Sequence, residues 1–417
     1  MRRYLIIVFA LIATIALAVI DRKDGVDVTT AWTFDGITAA KADGQTITGT
    51  ASTNFPTGWD YKLAITVTNT LIDADLTDWT MVFDQSFDSV LTSVNGPLDA
   101  DGTKASLNGG GDVRFSSDSA GTNRLACDVR TWVTDNAPTG ATCEVAIQIP
   151  SVSSSAETTI YMWWGKSGET QPAVAAAYGQ YAAYDSSFNA VYTLNEDPSG
   201  SAPQMSDRTS NANNGTSGGS MTSGDSVAGV VGNSLDFDGG DDDVDLGTTQ
   251  FINSSQPFTV STCVNLDSFT ASFHSIFNSK TDAAENWRLF FSNAGGYNDV
   301  SFGSAAGWTN YRGPLQASTA YIWNHIVVTY DGVSTTTQSS FALYQNGSSA
   351  SLNTASGYGG DQGNSYIATS AGGHRWNGLI DEIRLSSVEH SAAWIKASYN
   401  NQFDTTGFLT WGTITDN

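Results

Sequence analysis

The chain has 417 residues, with 42 Asp and Glu against 18 Lys and Arg and a formal net charge of −24. That length exceeds one ordinary hydrophobic core and predicts two compact domains with flanking segments. The acid excess, with no basic stripe to offset it, excludes nucleic acid and anionic membrane surfaces as partners, and the abundance of Gly, Ser, Thr, Asn and Asp favours short strands and turns over long helices.

In chain order, Met1-Arg2-Arg3 precedes an apolar run from Leu5 to Ile20, with Ala16-Leu17-Ala18 supplying small residues at signal-peptidase spacing. Residues 1–18 are therefore expected to be a signal peptide, and the product secreted or at the cell surface. The run is shorter than the roughly 20 residues of a spanning helix, so an uncleaved N-terminal anchor is the alternative. Residues 19–56 are polar and weakly patterned, a linker or loosely attached segment. From Trp59 to Val67, around Asp112 to Ser116 and from Thr159 to Lys166 the sequence alternates apolar and polar residues, which predicts a first β-sandwich over 57–170.

Within that domain Cys127 and Cys143 flank the turn-rich stretch Asp135–Gly140. A hairpin there would bring the sulfurs close, so a Cys127–Cys143 disulfide is expected in an oxidising compartment, with two separate buried thiols as the alternative. Cys263 is left over, and no C-x-x-C or H-E-x-x-H pattern suggests zinc.

After a joint over 171–187 a second domain, 188–390, begins at about Phe188, and alternating runs at Tyr321–Gly332, Phe341–Gly347 and Gly378–Leu385 predict half-buried antiparallel strands of a β-sandwich in it. The tail, 391–417, reads as one short helix capped by Ser391, then a strand at Gly407–Gly412 free to return to the first domain. The fold class is thus all-β: two antiparallel β-sandwich (jelly-roll) domains and one C-terminal helix.

Two features carry chemistry. The loop Asp238–Asp245 crowds carboxylates and glycines in a way that suits Ca²⁺, which takes six to eight oxygens, although a solvated turn has the same composition. Among the second domain's rings, Trp287, Tyr297, Trp308, Tyr311, Tyr358, Tyr366 and Trp376 are candidates to stack on sugar faces, or else to fill the core; Trp308, Tyr311 and Trp376 are the expected ligand-binding residues. His325, on a strand with no nucleophile motif beside it, reads as structural.

The first domain's landmarks, W-x-Y-x-x-x-I-x-V from Trp59, D-V-R-F from Asp112 and T-T-I-Y-M-W-W-G from Thr158, resemble the domain of unknown function 2341, which implies a surface or secreted setting and no particular activity. The second domain resembles the LamG-like, concanavalin A-type jelly rolls. Its Trp323–Gly332 strand is similar to W-x-H-V-A-x-T-Y-D-G, Leu343–Gly347 to L-Y-x-N-G, Gly378–Arg384 to G-x-I-D-E-V-R, and Leu235–Leu246 to L-x-F-D-G-x-D-D-Y-V-x-L. Asp243 and Cys263 depart from that pattern, standing where aromatics are usual. The resemblance implies a Ca²⁺ ion where the first and last strands meet, pointing to Asp207 and Asp381 as partners of Asp238. It also implies a glycan or an extracellular protein as ligand. The E-x-D-x-x-E strand of the related glucanases is absent, which favours a non-catalytic protein. A structural subunit of a surface layer, appendage or envelope complex is the alternative, and a divergent polysaccharide hydrolase or lyase the third reading.

Overall fold

The computed structural model describes residues 55–417 except 137–138, 270, 282–285, 294–298, 305–309, 315–321, 356–363 and 371–372; before residue 55 it describes the strands Val28–Phe34 and Ile37–Ala42. The expected signal peptide lies outside the described residues. The two early strands pair antiparallel, so the stretch read as a linker holds a hairpin; Asp35-Gly36, a hairpin dipeptide, was the signal for it. This hairpin belongs to a first unit ending at Asn54, and Phe55–Asn417 form a second.

In the second unit, strand Tyr61–Val67 buries Leu63, Ile65 and Val67 on one face, the alternation its sequence demands. It pairs with Thr158–Trp164 on one side and with the C-terminal strands Leu409–Trp411 and Thr415–Asp416 on the other, and Arg114–Ser116 and Arg124–Leu125 complete a six-stranded sheet. Leu76–Asp84, Thr142–Val152 and Cys127–Val133 form a three-stranded sheet facing it. Phe83 of the small sheet meets Phe115 at 6.1 Å and Trp411 at 5.2 Å in the large one, which closes the first sandwich.

The second sandwich consists of two eight-stranded sheets. The inner one is centred on Asn377–Ser386, Phe258–Leu266 and Trp323–Tyr330; the outer one runs from Thr216–Gly218 through Asp243–Asp245, Tyr366–Ile367, Phe273–Lys280 and Asn286–Ser292 to its far edge. Phe258 against Trp287, 5.4 Å between ring centres, joins the two faces in a shared apolar core.

The small sheet explains how the two sandwiches stack. From Trp79 to Asp84 every residue is buried, so both of its faces are covered. Trp79, Met81 and Phe83 serve the first core, while Val82 and Asp84 alternate to the other face. Asn401 caps the strand's free edge, bonding the backbone of Val82 in both directions (2.7 and 2.8 Å), and the Gly232 N–H donates to Asp84 Oδ2 (2.8 Å). Helix Ala392–Gln402, begun by Ser391 accepting from the Trp394 N–H, is wedged in the same seam: Trp79 Nε1 donates to Ser398 Oγ at 3.3 Å, and the Cys263 thiol donates to Gln402 Oε1 at 3.1 Å. The inner eight-stranded sheet therefore spends its outward face on the first sandwich.

A buried charge cluster fills the seam. Arg130 donates to Glu144 (2.6 Å), to Glu382 and to the Tyr184 hydroxyl (2.9 Å); Tyr184 and Arg208 both donate to Asp128 at 2.9 Å; Arg384 pairs with Glu382 at 2.6 Å. Gly232, at φ +70°, lets its loop approach this cluster, since a Cβ there would lie 2.5 Å from Glu144 Oε2. Burial raises the Glu144 carboxyl to about 7 against the pull of Arg130, whereas for Glu382 burial is outweighed by Arg130 and Arg384 and the group is held below its usual value.

The expected Cys127–Cys143 disulfide is not formed: both are free, buried thiols, as is Cys263. The hairpin register is the reason. Cys127 stands opposite Ile147 and Cys143 opposite Trp132, four positions out of step, or roughly 13 Å along the strand. Among the described residues no helix is long and apolar enough to cross a membrane.

Candidate functional site

With the inner sheet covered, the outer sheet offers the second sandwich's remaining broad face. Its edge is built by alternation: Val244 and Ile367 point into the core, which turns Asp243, Asp245 and Tyr366 outward. Strand register then lays Thr216, Asp245, Tyr366, Asn278 and Arg288 side by side in one row across five strands. The near end of this row opens into a cleft of about 590 Å³ lined by Asn214, Thr216, Ser217, Asp243, Asp245 and Tyr366.

Behind the cleft lies a polar relay. Asn364 Nδ2 donates to both Asp245 oxygens (2.9 Å each), and its carbonyl accepts from Asn278 Nδ2 (3.3 Å) and Asn286 Nδ2 (3.2 Å). The side-chain oxygens of Asn278 and Asn286 are buried and, among the described residues, have no partner, a costly arrangement beneath the row. Burial raises the Tyr366 hydroxyl, and the Asp245 and Asp243 charges add to it, so the ring carries a neutral O–H at physiological pH.

Arg375 joins the cleft to the acidic loop. It donates to the carbonyls of Asp241 (2.9 Å) and Asp242 (3.2 Å) and pairs with Asp243 at 2.6 Å. This ion pair accounts for a carboxylate where an aromatic is usual; burial nevertheless holds Asp243 above its ordinary value against the pull of Arg375. On the other side of the loop the carboxylates of Asp238, Asp241 and Asp242 converge within 4.8 Å. Asp242 is only 5% exposed; its Oδ2 accepts from the Asp238 N–H (3.1 Å), and its Oδ1 is buried without a partner. Burial and the charges of Asp238 and Asp225 raise its proton affinity. Gly219, at φ +77°, makes the tight approach possible, because a Cβ there would sit 2.6 Å from the Asp241 carbonyl oxygen. Three oxygen donors with one orphaned atom fit a hard cation such as Ca²⁺.

The three acids expected to share a cation do not meet. Asp207 accepts from the Val191, Thr209 and Asn213 N–H groups (3.1, 3.0 and 2.9 Å) and so pins a turn. Asp381 faces the seam and accepts from the Val230 N–H at 2.8 Å. Asp238 stands opposite Asn377, four residues along the strand from Asp381. Carboxylates four positions apart on a strand lie roughly 13 Å from one another, too far for one ion. The acidic loop closes on itself instead.

Two of the expected ligand-binding rings also turn inward. Tyr311 pairs with Phe302 across the strands and packs 5.0 Å from Phe341; Trp376 packs 5.2 Å from Phe291 and donates to the Leu379 carbonyl (3.2 Å). Both are core residues because their strand phase places them with Phe302 and Ile380, and Trp287 is buried likewise. Trp308, Tyr297 and Tyr358 lie outside the described residues. Of the named rings among the described residues, Tyr366 is the one that lines the cleft. His325, pushed down to about 3 by burial, bonds Ser261 at 2.9 Å in the seam and takes no part. Asn278, Asn286, Asn364 and Arg375 escaped notice in the sequence: each is a lone polar residue whose partners come from distant segments.

Residues 238–396 match the family model of the concanavalin A-like lectin/glucanases superfamily. No curated protein matches the chain significantly. Among solved structures, domain 4 of an extracellular GH43 arabinanase from Geobacillus stearothermophilus, in complex with arabinotriose, aligns at 18% identity and TM-score 0.36, covering 50% of this chain and 96% of that one. The binding domain of botulinum neurotoxin serotype D aligns at 12% identity and TM-score 0.37, covering 52% of each chain. A Trypanosoma rangeli sialidase aligns at 12% identity and TM-score 0.33, covering 58% of this chain and 35% of that one. The all-β jelly-roll architecture and the family match agree, and residues 238–396 carry a concanavalin A-like lectin/glucanase domain.

Proposed function

We propose that this is a secreted or surface-displayed recognition protein that binds a glycan in the outer-sheet cleft. The observation that carries the reading is the cleft lined by Thr216, Asp243, Asp245 and Tyr366, where a half-buried ring stands among hydrogen-bonding groups fixed by strand register and by Asn364 and Arg375. Sugars present C–H faces that suit an aromatic plane and hydroxyls that suit carboxylates and amides. Ca²⁺ held by Asp238, Asp241 and Asp242 would stiffen the loop that Arg375 ties to Asp243, and so the rim of the cleft. The first sandwich, resembling the domain of unknown function 2341, serves as the platform.

Binding without turnover fits the carboxylate geometry. Glycoside hydrolysis takes two acids flanking the bond, one of them protonated. Asp243 and Asp245 instead sit two residues apart on one strand, the first paired with Arg375 and the second capped by Asn364 and by the Gly247 N–H at 2.7 Å. One observation favours hydrolysis as a second reading: burial raises the proton affinity of Asp243. A glycan array with and without chelator, run beside a reducing-sugar assay on the polysaccharides retained, separates the two. Calcium-dependent retention with no sugar release supports recognition, and release that Asp243→Asn abolishes would replace it with a hydrolase.

A further inference from the structure

We propose a second ligand site on the first sandwich, where Arg124 receives the carboxylate of an acidic sugar. Arg124 lies on the edge strand Arg124–Leu125 of the six-stranded sheet, its guanidinium carbon 4.6 Å from the centre of the Tyr178 ring and 5.7 Å from that of Phe55. Rings on two sides fix the plane of the group. Among the described residues no carboxylate comes within ion-pair distance of it. Its Nε is buried without a partner, while its two terminal nitrogens are neither hydrogen-bonded nor among the buried polar atoms, so they face solvent.

The surroundings strengthen the case. Trp59 and Trp163 pack 5.1 and 5.6 Å from Phe55, and other cations lie over these neighbouring rings: the Arg114 guanidinium carbon and Lys166 Nζ are 5.7 and 4.4 Å from the Trp59 ring, and Lys62 Nζ is 4.9 Å from that of Trp163. Glu169 is already shared between Arg114 (3.5 Å) and Lys166 (3.6 Å). Arg114 is itself spent on the carbonyls of Gly111, Val113 and Thr170. In a chain of net charge −24 this is a cluster of cations with two planar, forked donors, of which Arg114 is spent and Arg124 is unmatched among the described residues. Tyr178, 41% exposed and anchored in the turn Ala173–Gly179, offers a ring beside it for the body of a sugar. A ligand joining a planar anion to a C–H face, as a hexuronate does, uses both features. Long polyanions would be repelled by the acidic loops elsewhere, so the ligand is a short oligomer or a chain end.

The test titrates the full secreted chain with trigalacturonate, its methyl ester and triglutamate, following heat and the Arg Nε–H resonances. Trigalacturonate is expected to bind and shift the Arg124 resonance, with affinity falling as salt rises; the ester, which lacks charge, and triglutamate, which lacks a sugar ring, are expected to bind at least tenfold more weakly. Arg124→Gln should abolish the response and Arg124→Lys weaken it, with binding of neutral glycan at the outer-sheet cleft untouched in both. Should Arg124→Gln fail to fold, Tyr178→Ala takes its place, with a tenfold loss expected. Equal binding of triglutamate, an unchanged Arg124 resonance, or unaltered trigalacturonate affinity in the variants would overturn the proposal, and none of these outcomes bears on the neutral-glycan cleft.

Discussion

The seam between the sandwiches and the open face of the outer sheet are both polar clusters set on β-strands, yet they differ in who supplies the cations. In the seam, Arg130, Arg208 and Arg384 arrive from three segments of the chain and neutralise Asp128, Glu144 and Glu382. On the open face Arg375 stands nearly alone among Asp238, Asp241, Asp242, Asp243 and Asp245. Where the chain brings its own counter-charges, buried polar groups join two layers. On the open face, among the described residues, carboxylates outnumber cations, which leaves negative charge to be met from outside.

The sharpest way to break this contrast is to remove a cation from the seam. Arg130→Met leaves Glu144, Glu382 and Asp128 short of a partner in a site closed to water, and should cost about 3–5 kcal/mol of unfolding free energy in urea. A loss under 1 kcal/mol would mean the cluster does not hold the layers together.

On the open face the corresponding change is an addition. Ca²⁺ at a hundredfold excess over its dissociation constant should stabilise the chain by about 2.7 kcal/mol, read as a rise in the thermal midpoint, and Asp242→Asn should erase most of it. An equal rise in wild type and variant would place the ion elsewhere.

How much of this was legible in the sequence follows from the same contrast. Alternation predicted the strands Tyr61–Val67, Trp323–Tyr330 and Asn377–Ser386, and Ser391 predicted the helix start, because those signals are local. The acidic loop was visible because its members are neighbours in sequence. Asp207 and Asp381 were misassigned because a carboxylate pinning a turn or facing a seam has the same sequence signature as a ligand. Tyr311 and Trp376 were misassigned because strand phase, which decides core from surface, was not fixed by the flanking residues. The register set by the turn puts the cysteines out of step, the bulge between Val129 and Thr131 recovering a single position, and nothing in the spacing of Cys127 and Cys143 records this.

Smaller effects sharpen the comparison. Because Glu144 sits at about 7 in the folded chain and lower when unfolded, the native state binds protons more readily between those values. Stability should therefore rise as pH falls from 8 to 6, by about 1 kcal/mol, and that gain is lost as pH climbs back through 7. Asp381, raised mainly by burial, acts with the same sign; Glu382, held low, opposes only in more acid solution, where its protonation removes stability. Glu144→Gln should flatten the profile between pH 6 and 8, and an unchanged slope would assign it to other groups. The smallest expected effect is none: three thiols should react in denaturant without reductant, with no reductant-dependent change in mobility.

Hydrogen–deuterium exchange with and without a neutral oligosaccharide retained on the array probes the open face most directly. Slower exchange is expected in the segments 214–218, 243–247 and 364–367, with the seam segments 128–132 and 380–384 unchanged. Protection confined to the first sandwich, or to the seam, would contradict a ligand site on the outer sheet.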